Sequence, residues 1–137
     1  MSVDDPKTVL MADDDEDDCF LAREAFEACG TGDVFSCVED GMKLMEYLSA
    51  CARPGPQRLP HVILLDLNMP RKDGREVLLE IKANPGLRNI PIAILTTSRE
   101  EKDVSFAMKA SAKLFITKPS TFDQWVEIMK SITTLGS

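Results

Sequence analysis

Four apolar residues in succession, Val62, Ile63, Leu64 and Leu65, run straight into a carboxylate, Asp66, and then into Leu67-Asn68-Met69-Pro70. A run this short and this uniformly apolar suits a strand buried on both faces, as in a parallel sheet covered by helices on either side. Pro70 stops it, because proline continues neither a ladder nor a helix. Asp66 is therefore expected at the carboxyl end of a central strand, where open α/β sheets form their ligand crevice.

The rest of the chain repeats this unit. Residues 7–12 (K-T-V-L-M-A) form a short apolar run that ends at an acidic cluster and reads as a first strand. Over residues 16–29, Ala22, Ala25, Phe26 and Cys29 fall at helical spacing and Gly30 closes the helix. Residues 34–38 (V-F-S-C-V) alternate as an edge strand does. Asp40-Gly41 then turns the chain into a helix with Leu44, Met45, Leu48 and Cys51 on one face. Residues 52–60, with three prolines and Gly55, read as a loop. After Asp73-Gly74, Val77, Leu78 and Ile81 mark a third helix, stopped by Asn84-Pro85-Gly86.

Residues 91–95 (P-I-A-I-L) predict a fourth buried strand ending on Thr96, Thr97 and Ser98, and a helix follows over residues 100–111. Residues 114–117 predict a fifth strand, which ends on Lys118-Pro119. Over residues 121–133, Phe122, Trp125, Val126, Met129 and Ile132 mark a final helix, preceded by a capping-type Ser120/Thr121 with Gln124. Five strands alternating with five helices predict an α/β fold. Its five-stranded parallel sheet has the order 2-1-3-4-5 and helices on both faces, doubly wound and flavodoxin-like. A length of 137 residues suits one domain, with residues 1–6 a flexible N-terminus and residues 7–137 folded.

Charge narrows the function classes. The formal net charge is -7, and residues 1–18 carry all of the excess: eight acids against one base there, fifteen against fifteen in the remainder. A body that is electrically even, with a local acidic surplus, offers no footprint for nucleic acid or an anionic membrane. No apolar run approaches the roughly 18 residues of a membrane span, and the terminus lacks a basic signal region, so a cytoplasmic location is expected. Cys19, Cys29, Cys37 and Cys51 show no C-x-x-C spacing and are expected to be free thiols rather than zinc ligands or disulfides. His61 is the single histidine, which excludes a histidine-rich metal site.

Four polar signals remain, and each falls at the carboxyl end of a predicted strand: Asp13-Asp14 after the first, Asp66 after the third, Thr96 after the fourth, Lys118 after the fifth. In a parallel sheet these ends lie side by side. Clustered carboxylates repel unless a cation sits among them, and a hard divalent ion such as Mg²⁺ is the expected remedy. A carboxylate, a metal, an ammonium and a hydroxyl are together what in-line phosphoryl transfer onto Asp66 requires. Asp15, Glu16, Asp17 and Asp18 read as solvated acids opening a helix, where the dipole welcomes them. A calcium loop starting at Asp13 is disfavoured because Asp18 stands where glycine is needed. Arg71, Lys72 and Arg75 read as solvated charge or as an aid to docking.

At this point the chain resembles the receiver domain of two-component response regulators, of the chemotaxis-regulator type. Asp13-Asp14, L-L-D-L-N-M-P around Asp66, Asp73-Gly74, Thr96 and Lys118-Pro119 carry the likeness. The resemblance implies that Asp66 accepts a phosphoryl group from a sensor histidine kinase. Asp14, Asp66 and the main-chain carbonyl of Asn68 would hold Mg²⁺, with Asp13 acting through water. It further implies that Lys118 pairs with the phosphate, that Thr96 and Phe115 form the switch, and that the bond before Pro119 is cis.

The wording D-L-N-M-P-R-K-D-G-R-E-V-L is similar to small stand-alone receivers that pair with phytochrome-type histidine kinases. Output would then pass by protein contact, to a downstream target or a phosphotransfer protein, through the last two helices, which could also form a homodimer. Such a protein is a phosphoacceptor that assists its own phosphorylation and dephosphorylation, not a turnover enzyme. Ala110-Ser111-Ala112 lacks the glycines many receivers carry before the fifth strand. A haloacid-type phosphatase would need a second acid at position 68, where Asn68 stands. A flavin binder would need a phosphate loop after the first strand, and a phosphorylation-independent scaffold would have no use for all five polar positions.

Overall fold

The protein is described here from a computed structural model, which places residues 6–53, 58–97 and 100–135. Strands β1 (Thr8–Ala12), β2 (Val34–Val38), β3 (Val62–Leu65), β4 (Ile92–Thr96) and β5 (Leu114–Thr117) alternate with helices α1 (Glu16–Ala28), α2 (Gly41–Ala52), α3 (Gly74–Ala83), α4 (Glu101–Lys109) and α5 (Phe122–Leu135). All four strand pairings are parallel and the order is β2-β1-β3-β4-β5. The α/β reading of the sequence holds in element order and in sheet topology. Of the terminus expected to be flexible, residues 1–5 lie outside the described residues, as do residues 54–57 of the prolyl loop and Ser98 of the hydroxyl triplet.

The two faces of the sheet sort the core by the strand period of two. Leu10 and Ala12, Ile63 and Leu65, Ile92 and Ile94 face Leu44 and Leu48 of α2, Val77, Leu78 and Ile81 of α3, and Ala107 of α4. The intervening Val9, Met11, Val62, Leu64, Ala93 and Leu95 face Ala22, Ala25 and Phe26 of α1 and Trp125, Met129 and Ile132 of α5. β1, β3 and β4 are buried on both sides, which is why their sequences are continuous apolar runs. β2 and β5 are the edges, and β5 is half-buried along its whole length.

Side chains cap four of the helices. Asp15 accepts from the N–H groups of Asp17 and Asp18, Asp40 from Lys43 and Asp73 from Arg75. The expected cap of the last helix is present as a box: Gln124 N–H donates to Thr121 Oγ1 at 3.2 Å, and Gln124 Oε1 accepts from Ser120 N–H at 3.0 Å. Helix α4 opens at Glu100 without a side-chain cap.

Two expectations are corrected. Cys19 and Cys37 are joined as a disulfide, with Sγ–Sγ 2.15 Å and Cα–Cα 6.5 Å, while Cys29 and Cys51 are free. Parallel pairing sets Cys37 beside Met11, and the chain turns from β1 into the first turn of α1 directly above it, so two cysteines 18 apart in sequence meet. The Lys118–Pro119 bond is trans, as are all peptide bonds among the described residues. Trans is the isomer an X–Pro bond favours by about 0.5–1 kcal/mol. Lys118 is aimed without a cis bond, since its N–H donates to Thr96 O at 2.9 Å and so extends the β4–β5 ladder.

Gly74 lets α3 start against the end of β3. A Cβ there would lie 2.2 Å from the Asp66 carbonyl oxygen and 2.7 Å from Leu67 Cα. Ser111, in the glycine-free segment after α4, takes φ +67°, a left-handed conformation that an L side chain adopts at a penalty. Ser111→Gly is expected to raise unfolding free energy by about 0.5–1 kcal/mol in urea denaturation, and Gly74→Ala to lower it by about 2 kcal/mol or more. Equal midpoints for Gly74→Ala and wild type would contradict the close approach.

Candidate functional site: an acidic crevice at the strand ends

The backbone ladder delivers the polar residues to one place. Beyond the last paired residues, Asp13 N–H donates to Val38 O at 3.0 Å, Asp66 N–H to Ala12 O at 3.1 Å and Lys118 N–H to Thr96 O at 2.9 Å. Each of these residues is thus the first past a strand end and is held by the neighbouring strand. One oxygen from each of Asp13, Asp14 and Asp66 lies within 4.8 Å of the others. Asp13 and Asp66 are buried and Asp14 is exposed, so the cluster opens to solvent on the Asp14 side.

Lys118 balances this charge. Its Nζ lies 2.8 Å from Asp13 Oδ2, 2.8 Å from Asp18 Oδ2 and 3.2 Å from Asp66 Oδ2. Burial alone would lower the lysine's pKa, but its close pairing with the Asp13 and Asp18 carboxylates outweighs that and holds it above the ordinary lysine value. Asp13 moves the other way: burial pushes its carboxyl up to about 6, against the opposing pull of Lys118 and the Asp15 N–H. Asp13 Oδ1 accepts that N–H at 2.9 Å. Its Oδ2 has the lysine beside it but no hydrogen-bond partner of normal geometry among the described residues.

Asp66 is fixed by its own loop. Its Oδ1 accepts from Asn68 N–H at 3.0 Å, leaving Oδ2 toward Lys118. Asn68 Nδ2 in turn donates to Thr96 Oγ1 at 3.4 Å, and Thr96 is fully buried at the end of β4. Phe115 is half-buried on β5, packed against the α2, α3 and α4 side of the core. The sequence-derived residues Asp13, Asp14, Asp66, Asn68, Thr96 and Lys118 therefore converge, and Phe115 stands two positions before Thr117 on the adjoining edge strand.

Three carboxylate oxygens converging within 4.8 Å fit a hard divalent cation with oxygen ligands. A thiol- or imidazole-seeking metal finds no such donor in the cluster.

Asp18 is a correction to the reading of solvated helix-start acids. It caps nothing and reaches back to Lys118, with its side chain about one-fifth exposed. The signal available in sequence was its position: four residues past Asp14 on the first turn of α1, it lies over the crevice. Arg75 likewise departs from the expectation of solvated charge or a docking aid. It is instead tied to Asp73 and Asp103, while Lys72 pairs with Glu80 and Arg71 with Asp40.

Comparison with known proteins agrees with this geometry. The chain matches the family described as response regulator receiver domain over residues 9–130. It is 35% identical over 127 residues to response regulator Rcp1 of Synechocystis sp., covering 93% of this chain and 86% of Rcp1. It is 32% identical over 132 residues to the probable methanogenesis regulatory protein FilR2 of Methanothrix harundinacea, covering 96% and 84%. Among solved structures, the phosphorylated cyanobacterial phytochrome response regulator RcpA superposes with a TM-score of 0.83 at 37% identity, covering 93% of this chain and 91% of RcpA. The Mn²⁺-bound form of Rcp1 superposes with a TM-score of 0.82 at 34% identity, covering 94% and 93%.

Two outcomes follow from the charges. Mg²⁺ affinity measured by calorimetric titration is expected to weaken as the solution is acidified through about pH 6, where Asp13 gains a proton and the cluster loses one negative charge. Equal affinities at about pH 7.5 and about pH 5 would contradict the raised Asp13 pKa. Asp18→Asn removes one anionic partner of a half-buried lysine and is expected to lower stability by about 1 kcal/mol at low salt. The deficit should shrink in about 1 M NaCl, where the Debye length is near 3 Å.

Proposed function

The chain belongs to the response regulator receiver domain family, and from that premise we propose that Asp66 is its phosphoacceptor and that the donor is the phosphohistidine of a sensor histidine kinase. The observation that carries the reading is the contact of Lys118 Nζ, 3.2 Å from Asp66 Oδ2, at the mouth of a three-carboxylate cluster. An Asp66 oxygen attacks phosphorus, the P–N bond to the donor imidazole breaks, and the imidazole leaves with the electron pair and takes up a proton. Asn68 N–H holds Oδ1 and orients the carboxylate, so attack does not wait for a freely rotating side chain. The Lys118 ammonium neutralises charge on the transferred oxygens, and it can do so because Asp13 and Asp18 keep it charged and in place.

Mg²⁺ is the proposed cofactor, which Asp14, Asp66 and the main-chain carbonyl of Asn68 would hold, with Asp13 acting through water. When bound it would supply charge neutralisation and a template for the phosphoryl oxygens. The Thr96 hydroxyl, now hydrogen-bonded to Asn68, is the proposed partner of the bound phosphoryl group, with Phe115 as the aromatic member of the switch. Hydrolysis of the acyl phosphate lacks a second carboxylic acid at position 68. The protein is therefore proposed to hold its signal for a time instead of turning over as a phosphatase.

The kinase is proposed to be of phytochrome type, because RcpA, 37% identical over nearly the whole chain, is a phytochrome response regulator by name. Output is proposed to pass by protein contact through α4, β5 and α5, where β5 is half-buried and Met108 and Phe122 are exposed. No described helix is long and apolar enough to cross a membrane.

Exposure to a small phosphodonor with and without Mg²⁺, read by intact mass, tests the core of this reading. Wild type is expected to gain one phosphoryl adduct that requires Mg²⁺ and Asp66→Asn to gain none. An adduct of equal yield on Asp66→Asn would place the acceptor elsewhere.

A further inference from the structure

Helix α4 is anchored unlike the others. Its fully buried side chains are Asp103 and Ala107, and its other inward contacts are the half-buried Phe106 and Ala110. Helix α3 buries Val77, Leu78 and Ile81, and α5 buries Trp125, Met129 and Ile132. An alanine contributes little when buried, whereas each large apolar side chain contributes about 1.5–3 kcal/mol. The attachment of α4 therefore leans on a polar group. Asp103, 4% exposed, would be expensive to bury as a carboxylate without a counter-charge.

Arg75, the second residue of α3, supplies a counter-charge. Its Nη2 and Nε donate to Asp103 Oδ1 at 2.8 and 3.1 Å. Its Nη1 points the other way, to the loop that carries Asp66: it donates to Leu67 O at 3.4 Å, to Asn68 Oδ1 at 3.5 Å and to both Asp73 oxygens at 3.3 and 3.2 Å. Asn68 is itself bonded to Asp66 Oδ1 and to Thr96 Oγ1. One rigid guanidinium fork thus spans the acceptor loop and α4, and a lysine could not reproduce both edges. A helix dipole alone does not account for Asp103, since first-turn acids such as Glu101 gain from it while exposed.

We propose that Arg75 and Asp103 form a latch through which the chemical state of Asp66 sets the docking of α4. The pair acts by positioning and touches no reacting atom. The inference rests on the reading of Asp66 as phosphoacceptor. A phosphoryl group there adds up to about two negative charges and three acceptor oxygens one short loop away from Nη1. Those oxygens accept from the Thr96 hydroxyl, whose oxygen already accepts from Asn68 Nδ2, and through Asn68 and the loop they compete with Asp103 for the guanidinium. Weakening of the Arg75–Asp103 bonds leaves a helix with little apolar anchorage, so α4 loosens while α3 and α5 stay put.

Hydrogen exchange read by mass spectrometry, together with intact mass in the same samples, tests the latch on the full chain. In wild type, exchange of the α4 amides is expected to rise roughly tenfold with adduct formation, the size that loss of a charge-assisted hydrogen bond gives, with α5 little changed. In Arg75→Met/Asp103→Leu, an apolar pair that keeps α4 docked, the adduct on Asp66 should form in equal yield and the α4 response should fall below about twofold. Arg75→Lys, which keeps the charge but loses the fork, should show raised α4 exchange before any phosphodonor is added. A wild-type-sized α4 response in the double variant, or an α4 response absent in phosphorylated wild type, overturns the latch and leaves the phosphoacceptor reading intact. Absence of any adduct on wild type overturns both.

Discussion

One ammonium holds the functional end of this molecule together. Lys118 Nζ sits within 3.2 Å of Asp13, Asp18 and Asp66, in a crevice where Asp13 and Asp66 are buried. Without it, carboxylates gathered by the sheet would repel one another in a medium that screens them poorly. The arrangement is nonetheless incomplete. A single positive charge faces the Asp13, Asp14 and Asp66 cluster and Asp18 besides, and Asp13 still carries a carboxyl raised to about 6 by burial. A residual excess of negative charge at a solvent-open edge suits a divalent cation, so the same imbalance is consistent with the proposed metal and phosphoryl chemistry.

The sheet creates this situation by register. Parallel strands put their carboxyl ends at one edge, and each of Asp13, Asp66 and Lys118 donates its own N–H to the strand beside it. Shifting any strand by one residue would turn the functional side chain to the opposite face and would also move every buried residue of that strand from one core to the other. The apolar alternation between the two cores, Leu10 and Ala12 against Val9 and Met11, therefore protects the geometry of the site as well as the stability of the fold. Glycine does the same at the loop: Gly74 lets α3 begin within van der Waals reach of the Asp66 carbonyl, which keeps the loop after the acceptor short and stiff.

What was legible in the sequence follows from which interactions leave a periodic trace. Burial on two faces writes continuous apolar runs, and burial on one face of a helix writes a 3.6-residue period, so β1, β3, β4 and α5 could be read with their order and partners. The strand-end residues Asp13, Asp14, Asp66, Thr96 and Lys118 could be read because each breaks such a run at its end. Single pairings between distant residues write no pattern. Cys19–Cys37, Asp18–Lys118 and Arg75–Asp103 join residues 18, 100 and 28 apart, and neither partner looks unusual among its neighbours. Asp18 was masked by the acids around it, which do cap and open α1. The isomer at Pro119 is set by tertiary context and carries no local mark at all.

The distribution of anchorage bears on how a small change at Asp66 can be felt elsewhere. A rigid, densely packed domain transmits little unless some element is held by interactions that the site can alter. Here α3 and α5 each bury three large apolar side chains, while α4 buries Asp103 and Ala107, and Arg75, the partner of Asp103, also bonds the loop after Asp66. The positive φ at Ser111, directly after α4, adds a strained joint at the far end of the same helix. Helix α4 thus combines little apolar burial, an ion pair in its first turn and a left-handed residue after its end. It also adjoins the half-buried edge strand β5, where Phe115 faces the same core. In the proposed latch, the electrostatics of the crevice would reach the packing of that surface through α4.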